Sequence, residues 1–78
     1  MMDCLITSPT KTDRYSNIIS VVVPGLSGQM QILSNHAEAF IVLGNGYIEI
    51  ESSDGKLSKL EINGGECYVQ KNLVTIIL

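Results

Sequence analysis

The chain has 78 residues, a formal net charge of −3 and a sequence pI near 4.8. A chain of this size buries roughly 60% of its unfolded surface, which is enough for one hydrophobic core. Its 45% hydrophobic and 17% charged content excludes a disordered chain, and its five scattered Lys and Arg argue against a nucleic-acid binder.

No apolar run approaches the ~20 residues of a membrane-spanning helix, and the N-terminus lacks the basic and apolar regions of a signal peptide. We therefore expect a soluble, cytosolic, single domain over residues 1–78.

The first half of the chain predicts short strands joined by turns. Residues 1–8 alternate in polarity and predict a strand, whereas the polar residues 9–17 predict a loop or an irregular edge strand. The dense β-branched run Ile18–Val23 predicts a strand buried on both faces. Pro24-Gly25 turns the chain sharply, and Gln29–Leu33 predicts a short strand that delivers residues 34–36 to an exposed corner.

Residues 36–43 are ambiguous, because Ala37-Glu38-Ala39 favours a helix and Phe40-Ile41-Val42 favours a strand. The segment is short and is followed by Gly44-Asn45-Gly46, which predicts a turn. Its length favours a strand.

The second half predicts a series of hairpins. Residues 47–60 alternate with period two on both sides of Asp54-Gly55, a dipeptide typical of a type I′ turn. Asn63-Gly64-Gly65 and Lys71-Asn72 predict further turns before a last strand, Leu73–Leu78. The expected fold is all-β: a flattened antiparallel β-sandwich of about eight to ten short strands.

Cys4 and Cys67 are expected to be free buried thiols, since a disulfide requires that their strands be adjacent. Two cysteines and one distant histidine do not have the spacing of a metal site.

The sequence shows no motif of a known catalytic site, so we predict no catalytic, cofactor-binding or metal-binding residues. Ser34 and His36 would form a nucleophile–base pair without an orienting carboxylate. The alternative for His36 is a hydrogen bond to a backbone carbonyl, or packing against a partner. Glu49, Glu51 and Glu61 are expected to lie solvated on one face. The remaining class of function is binding to a partner, either through loops at the rim of the sandwich or through an exposed edge strand. The composition does not distinguish these two modes.

One motif and its surroundings resemble a known family. The residues 21–37 contain the pattern Val-x-Pro-Gly-x-x-Gly-x-x-x-Ile-Leu-x-x-His-Ala, which resembles the N-terminal domain of the epsilon subunit of F-type ATP synthase. The segments that resemble the other strands of that domain are Cys4–Pro9, Gly44–Ile50, Asn63–Gln70 and Asn72–Leu78.

The resemblance implies a β-sandwich at the foot of the central stalk, without catalysis or cofactor. By this resemblance Gly28, Gln29, Met30 and Gln31 would contact the c-ring. Ser8, Ser34, Asn35 and His36 would lie towards the gamma subunit. The domain would couple proton flow to ATP synthesis as a rotor element. It would lie at the cytoplasmic face of the bacterial inner membrane, as a peripheral protein held there only through the complex.

The chain departs from the family pattern at several positions. Gln29 stands where the family commonly has Glu, Met30-Gln31 replaces Leu-Gly, and Ser34 replaces a proline. The sequence given ends at Leu78, where a typical epsilon subunit continues into a helical hairpin. Between a naturally short subunit and a shortened version, we expect the former, with a purely structural role in coupling.

Two other functions compete with this one. The first is a stand-alone β-sandwich adaptor that binds another protein through its edge strand. The second is a small ligand-binding sandwich, which the absence of Trp and an aromatic content of 5% disfavour.

Overall fold

The computed structural model describes residues 1–78 as six strands without a helix. In chain order the strands are β1 (Met2–Thr7), β2 (Thr12–Gly25), β3 (Gly28–Leu33), β4 (Ala39–Ser52), β5 (Leu57–Gln70) and β6 (Leu73–Ile77). The predicted all-β class is confirmed, and residues 39–43 are a strand as expected. The predicted count of about eight to ten short strands is wrong, because β2, β4 and β5 each run for 14 residues.

The long strands result from glycines that bend a strand without ending it. Gly44-Asn45-Gly46 and Asn63-Gly64-Gly65, predicted as turns, lie inside β4 and β5 and face each other across the pair. Gly46, Gly64 and Gly65 have φ of +153°, +101° and +143°, which residues with a Cβ rarely adopt. Because the bends coincide, both strands turn the same corner and keep their pairing on either side of it.

The bends divide the single sheet into two layers. In one, the four-stranded layer, the order is β5 (57–62), β4 (46–52), β2 (18–25) and β3. In the other, the five-stranded layer, the order is β2 (12–17), β1, β6, β5 (66–70) and β4 (39–43). All pairs are antiparallel except β1–β6. Overall dimensions of 28 × 26 × 18 Å agree with the flattened sandwich that was predicted.

Sixteen buried hydrophobic residues from all strands form one core between the layers.

Within residues 18–23, the prediction of burial on both faces is wrong. Val21 and Val23 are fully buried, whereas Ile19 is 40% exposed and Val22 is half-buried. The reason is that β2 has the core on one side only, and its other side faces solvent except at Ser20, which is 7% exposed.

The polar residues 9–17 divide between the two predicted alternatives. Residues 8–11 form a loop, and β2 begins at Thr12, where it pairs with β1 at one side of the five-stranded layer.

The hairpin turns at Asp54-Gly55 and Lys71-Asn72 differ in the number of residues with positive φ, which the sequence did not predict. Asp54-Gly55 does not form the predicted type I′ turn, because only Gly55 has positive φ (+87°). The loop has three residues, closed by hydrogen bonds from Ser52 N–H to Lys56 O and from Gly55 N–H to Ser52 O. The Ser52 hydroxyl, and then the Lys56 N–H, lower the pKa of Asp54 by hydrogen-bonding its carboxylate. Lys71 and Asn72, with φ of +47° and +61°, form the turn that has two left-handed residues.

Cys4 and Cys67 are free and fully buried. Strand β6 lies between their strands, so their Cα atoms are separated by at least two strand spacings, about 9.5 Å. This separation excludes a disulfide. Burial raises the pKa of the thiols to about 12 for Cys4 and about 11 for Cys67.

Candidate partner-binding surface

The β2–β3 hairpin carries the four residues predicted to contact the c-ring. A two-residue connection, Leu26-Ser27, joins Gly25 to Gly28, and all residues from 26 to 31 are exposed. Gly28 has φ of +131°. Because β3 pairs only with β2, its outer edge is open and the hairpin projects from one corner of the sandwich.

The side chains of β3 alternate between two surroundings. Gln29 and Gln31 point to solvent, and the Gln31 amide Nε2 donates to Ser20 Oγ at 3.2 Å. Met30, 39% exposed, turns into a cleft of about 380 Å³ that also contacts Phe40 and Val42 of β4. The hairpin therefore presents amide groups on one side and a thioether on the other, with no formal charge.

The loop between β3 and β4 carries three of the predicted gamma-contact residues. Asn35 is exposed, whereas Ser34 and His36 are half-buried, so only part of the predicted corner is fully exposed. The His36 N–H donates to Leu33 O at 3.2 Å, and the His36 Nδ1 lies 2.7 Å from Ala37 O. Since the ring nitrogen is hydrogen-bonded to a carbonyl, the structure supports the backbone-bonding interpretation of His36 over the nucleophile–base pair.

Ser8, the fourth predicted gamma-contact residue, follows β1 and is half-buried. Its N–H donates to Lys11 O at 2.9 Å and its hydroxyl to the same oxygen at 3.3 Å. The structure does not bring Ser8 next to His36. The Asn35 loop contacts Asn72 beside Asp3, at the beginning of β1, so the two sites are five strand residues apart, about 17 Å.

Between these two sites lies a set of exposed apolar side chains on the outer side of the five-stranded layer, which we term the apolar face. Its members are Phe40, Val42, Tyr68 and Ile77, exposed by 55%, 46%, 42% and 40%. Phe40 pairs directly with Tyr68, with ring centroids 5.0 Å apart, and Glu66 lies between Val42 and Ile77. The Tyr68 hydroxyl donates to Glu66 Oε1 at 3.3 Å. Partial desolvation first, and then the Glu66 carboxylate, raise the pKa of Tyr68 above the ordinary value of a phenol.

Sequence reasoning missed this face. The one signal available was that all four residues from 40 to 43 are apolar. A strand with one solvated side should have polar residues at positions 40 and 42.

Charge is distributed unevenly along the chain. Of the 13 charged residues, only Glu38 lies between Tyr15 and Ile48, the segment that contains the β2–β3 hairpin, the β3–β4 loop and half of the apolar face. Depletion of charge around exposed aromatic and aliphatic side chains is typical of the centre of a protein–protein interface.

No group of three or more His, Cys, Asp or Glu is placed to hold a metal ion. No helix is present that is long and apolar enough to cross a membrane.

Comparison with known proteins identifies the family. The family described as "ATP synthase, Delta/Epsilon chain, beta-sandwich domain" matches residues 1–78. The ATP synthase epsilon chain of Leptospira borgpetersenii is 38% identical over 72 residues, 92% of this chain and 56% of the relative. That of Synechococcus sp. is 32% identical over 73 residues, 94% of this chain and 53% of the relative. The chain thus spans about half the length of the curated relatives it matches.

Two solved assemblies contain a chain with the same fold. One is the Euglena gracilis mitochondrial ATP synthase (OSCP/F1/c-ring, rotational state 1), with a TM-score of 0.84 and 22% identity over 95% of this chain and 48% of that chain. The other is the Tetrahymena thermophila mitochondrial ATP synthase (central stalk/c-ring), with a TM-score of 0.80 and 17% identity over 97% of this chain and 61% of that chain. From the full-length match and these relatives, the chain belongs to the ATP synthase delta/epsilon family and forms its β-sandwich domain.

Proposed function

We propose that this chain is a non-catalytic rotor element of an F-type ATP synthase that joins the gamma subunit to the c-ring. Family membership over residues 1–78 supports the proposal, as do relatives named ATP synthase epsilon chain. In this role the domain couples proton flow to ATP synthesis mechanically. A bacterial chain of this kind would lie at the cytoplasmic face of the inner membrane, held there through its partners.

The observation that carries the proposal is the apolar face. Its four exposed side chains lie between Ser8 at one end of the five-stranded layer and the loop of Ser34, Asn35 and His36 at the other. A gamma subunit that contacts both sites has to cover the surface between them. Covering the contacting Phe40 and Tyr68 rings, whose planes are tilted by 39°, removes apolar area from water, which favours a stable complex.

The c-ring contact is proposed for the β2–β3 hairpin, through Gly28, Gln29, Met30 and Gln31. These residues carry no charge, so the contact consists of amide hydrogen bonds and the Met30 thioether. A contact of this kind depends only weakly on ionic strength, because salt screens charges and leaves neutral hydrogen bonds nearly unchanged.

The fold suits a part that transmits force. Strands β2, β4 and β5 cross from one layer to the other, and each remains hydrogen-bonded on both sides of its bend. The two faces of the sandwich are thus parts of the same three strands, so a load on one layer passes to the other through continuous backbone.

Co-expression with the gamma subunit of the same organism, followed by size-exclusion chromatography, tests the proposal. We expect a stable one-to-one complex. Phe40→Asp should dissociate it, because the aspartate would be buried without a partner at the centre of the interface. The matched control is Leu57→Asp. Leu57 is 69% exposed in the four-stranded layer, away from the apolar face, and this variant should bind gamma normally.

Failure of the unmodified chain to bind gamma, while gamma assembles normally with its other subunits, would overturn the rotor proposal. The stand-alone adaptor would then be preferred, because β3 offers an open edge without charge or proline to which another strand can add.

A further inference from the structure

The β3–β4 loop begins with a four-residue turn from Leu33 to His36. The His36 N–H donates to Leu33 O at 3.2 Å, and Asn35, the third residue, has φ of +64° while Ser34 does not have positive φ. This combination is typical of a type II turn. A type I turn joins the same end residues with the Ser34–Asn35 peptide flipped, and it spares Asn35 the left-handed conformation. Local geometry alone therefore leaves two turn types open to this loop.

One hydrogen bond distinguishes the two turns. The Asn35 N–H belongs to the peptide that flips, and it donates to the side-chain Oδ1 of Asn72 at 2.7 Å. In the flipped peptide this N–H would point to the other side of the turn, so the bond exists only in the type II arrangement. The Asn72 Nδ2 lies 3.5 Å from Asn35 Oδ1, at the limit for a hydrogen bond, and adds little.

The backbone of the residue that carries the accepting carboxamide is itself held in place. Asn72 is the second left-handed residue of the β5–β6 turn, and its backbone O accepts from Asp3 N–H at 3.0 Å. Asp3 in turn accepts from Arg14 Nη2 at 2.6 Å. The acceptor is therefore anchored to a tight hairpin and to β1, while the β3–β4 loop that it contacts has no other partner of this kind.

From this geometry we infer that Asn72 is a positioning residue: its carboxamide selects the type II form of the Leu33–His36 turn and so holds Ser34 and His36 in the orientation that binds gamma. The inference rests on the proposed gamma contact and deepens it. If the turn were free to flip, only the fraction of molecules in the type II form would bind gamma. The apparent Kd would then rise in inverse proportion to that fraction.

The first measurement is hydrogen exchange of the Asn35 amide, followed by NMR in the isolated 78-residue chain. Asn72→Gly keeps the left-handed backbone of the hairpin and removes only the carboxamide, so we expect exchange at Asn35 to become roughly 3- to 10-fold faster. Asn72→Asp retains an acceptor oxygen and should restore slow exchange. Lys71→Gly changes the neighbouring left-handed position of the same hairpin and should leave Asn35 unchanged.

The second measurement is the affinity of the same variants for gamma. Asn72→Gly should raise Kd roughly 3- to 10-fold, in step with the increase in exchange. Asn72→Asp and Lys71→Gly should stay within about 2-fold of the unmodified chain. All three variants should keep the thermal midpoint of the parent chain within a few degrees, which separates loop positioning from general destabilisation.

If the exchange rate of the Asn35 amide is unchanged in Asn72→Gly, Asn72 does not select the type II turn. If exchange is faster but the Kd for gamma is unchanged, Asn72 is not a positioning residue for gamma binding. If the unmodified chain did not bind gamma at all, the proposed function would fall. The Asn35 exchange rates would then still decide whether Asn72 fixes the turn.

Discussion

The two layers of the sandwich share one core and three strands, yet their outer sides have different chemistry. On the four-stranded layer, Glu49, Glu51 and Glu61 point outwards, and the Lys59 ammonium lies 4.5 Å from the centre of the Tyr47 ring. On the five-stranded layer, the apolar face takes the corresponding place. The predicted solvated cluster of the three glutamates agrees with the register, which puts all three on the outer side of one layer.

The inner positions of the strands follow the core, whereas the outer positions are free to differ between the two layers. The buried residues on the inner side of both layers are apolar, because they pack into the same core. The outer residues are not constrained by the core, so the glutamates on one layer are charged and solvated while the apolar face of the other layer exposes aromatic and aliphatic side chains.

Inner and outer positions of β2 can be compared directly, with the largest expected effect. Val21→Asp places an unpaired carboxylate at a fully buried site and should cost about 4 kcal/mol or more, enough to unfold a domain of this size. Val22→Asp, one residue along, places it at a half-buried position opposite Glu49 and should cost about 1–2 kcal/mol. Circular dichroism shows whether Val21→Asp is still folded, and urea denaturation measures the loss in Val22→Asp and in any Val21→Asp that folds. Equal losses at the two positions would contradict the one-sided burial of β2.

The bend between the layers can be tested at two glycines with similar backbone conformations. A Cβ on Gly65 would lie 2.6 Å from Ile77 O, whereas a Cβ on Gly28 would have no atom within 4 Å. Both alanine variants carry the strain of positive φ, about 1–3 kcal/mol. Gly65→Ala should lose about 1–3 kcal/mol more than Gly28→Ala, because the clash is with backbone. The difference between their urea midpoints measures the clash alone, and similar midpoints would mean that β5 and β6 separate easily at the bend.

The five-stranded layer contributes two thiols to the core, and these predict a loss of stability in alkali. Folding raises their pKa values from 9.0 to about 12 for Cys4 and about 11 for Cys67, so the unfolded state releases these protons first. The two thiols therefore do not change stability at pH values well below 9, and they lower it as the pH rises towards 11 and 12, by up to about 1.4 kcal/mol per pH unit for each thiol.

The matched control for the alkaline loss is Cys67→Ala, which removes one titrating group and should reduce the slope between pH 9 and 11. Its absolute stability will be lower at every pH, so only the slope is compared. A slope equal to that of the parent chain would show that Cys67 is not the source.

Several features of the fold followed from local sequence. Period-two alternation in β1 and on both sides of residues 53–56 predicted strands, because an inner and an outer side differ in polarity. Lys71-Asn72 predicted a turn, and the order of motifs from Cys4 to Leu78 predicted the family that the comparison confirmed. The c-ring and gamma contacts remain predictions.

Other features depended on contacts between distant segments. A glycine triplet predicts a change of direction, but whether the strand ends or bends depends on what lies opposite. Gly44–Gly46 and Asn63–Gly65 bend because each faces the other. The Asp54-Gly55 loop took three residues rather than two, because the Ser52–Lys56 pairing sets its length.

Neighbours along the chain were sufficient to predict the all-β class, most of the segments that form strands, and the family. Three other features depend on the folded arrangement of the sheet: Val22 lies outside the core, Phe40 contacts Tyr68, and Asn72 accepts a hydrogen bond from Asn35. Burial, a contact between two rings and a hydrogen bond between two loops each require two segments that are distant in sequence, and the pairing register that brings them together is a property of the whole sheet.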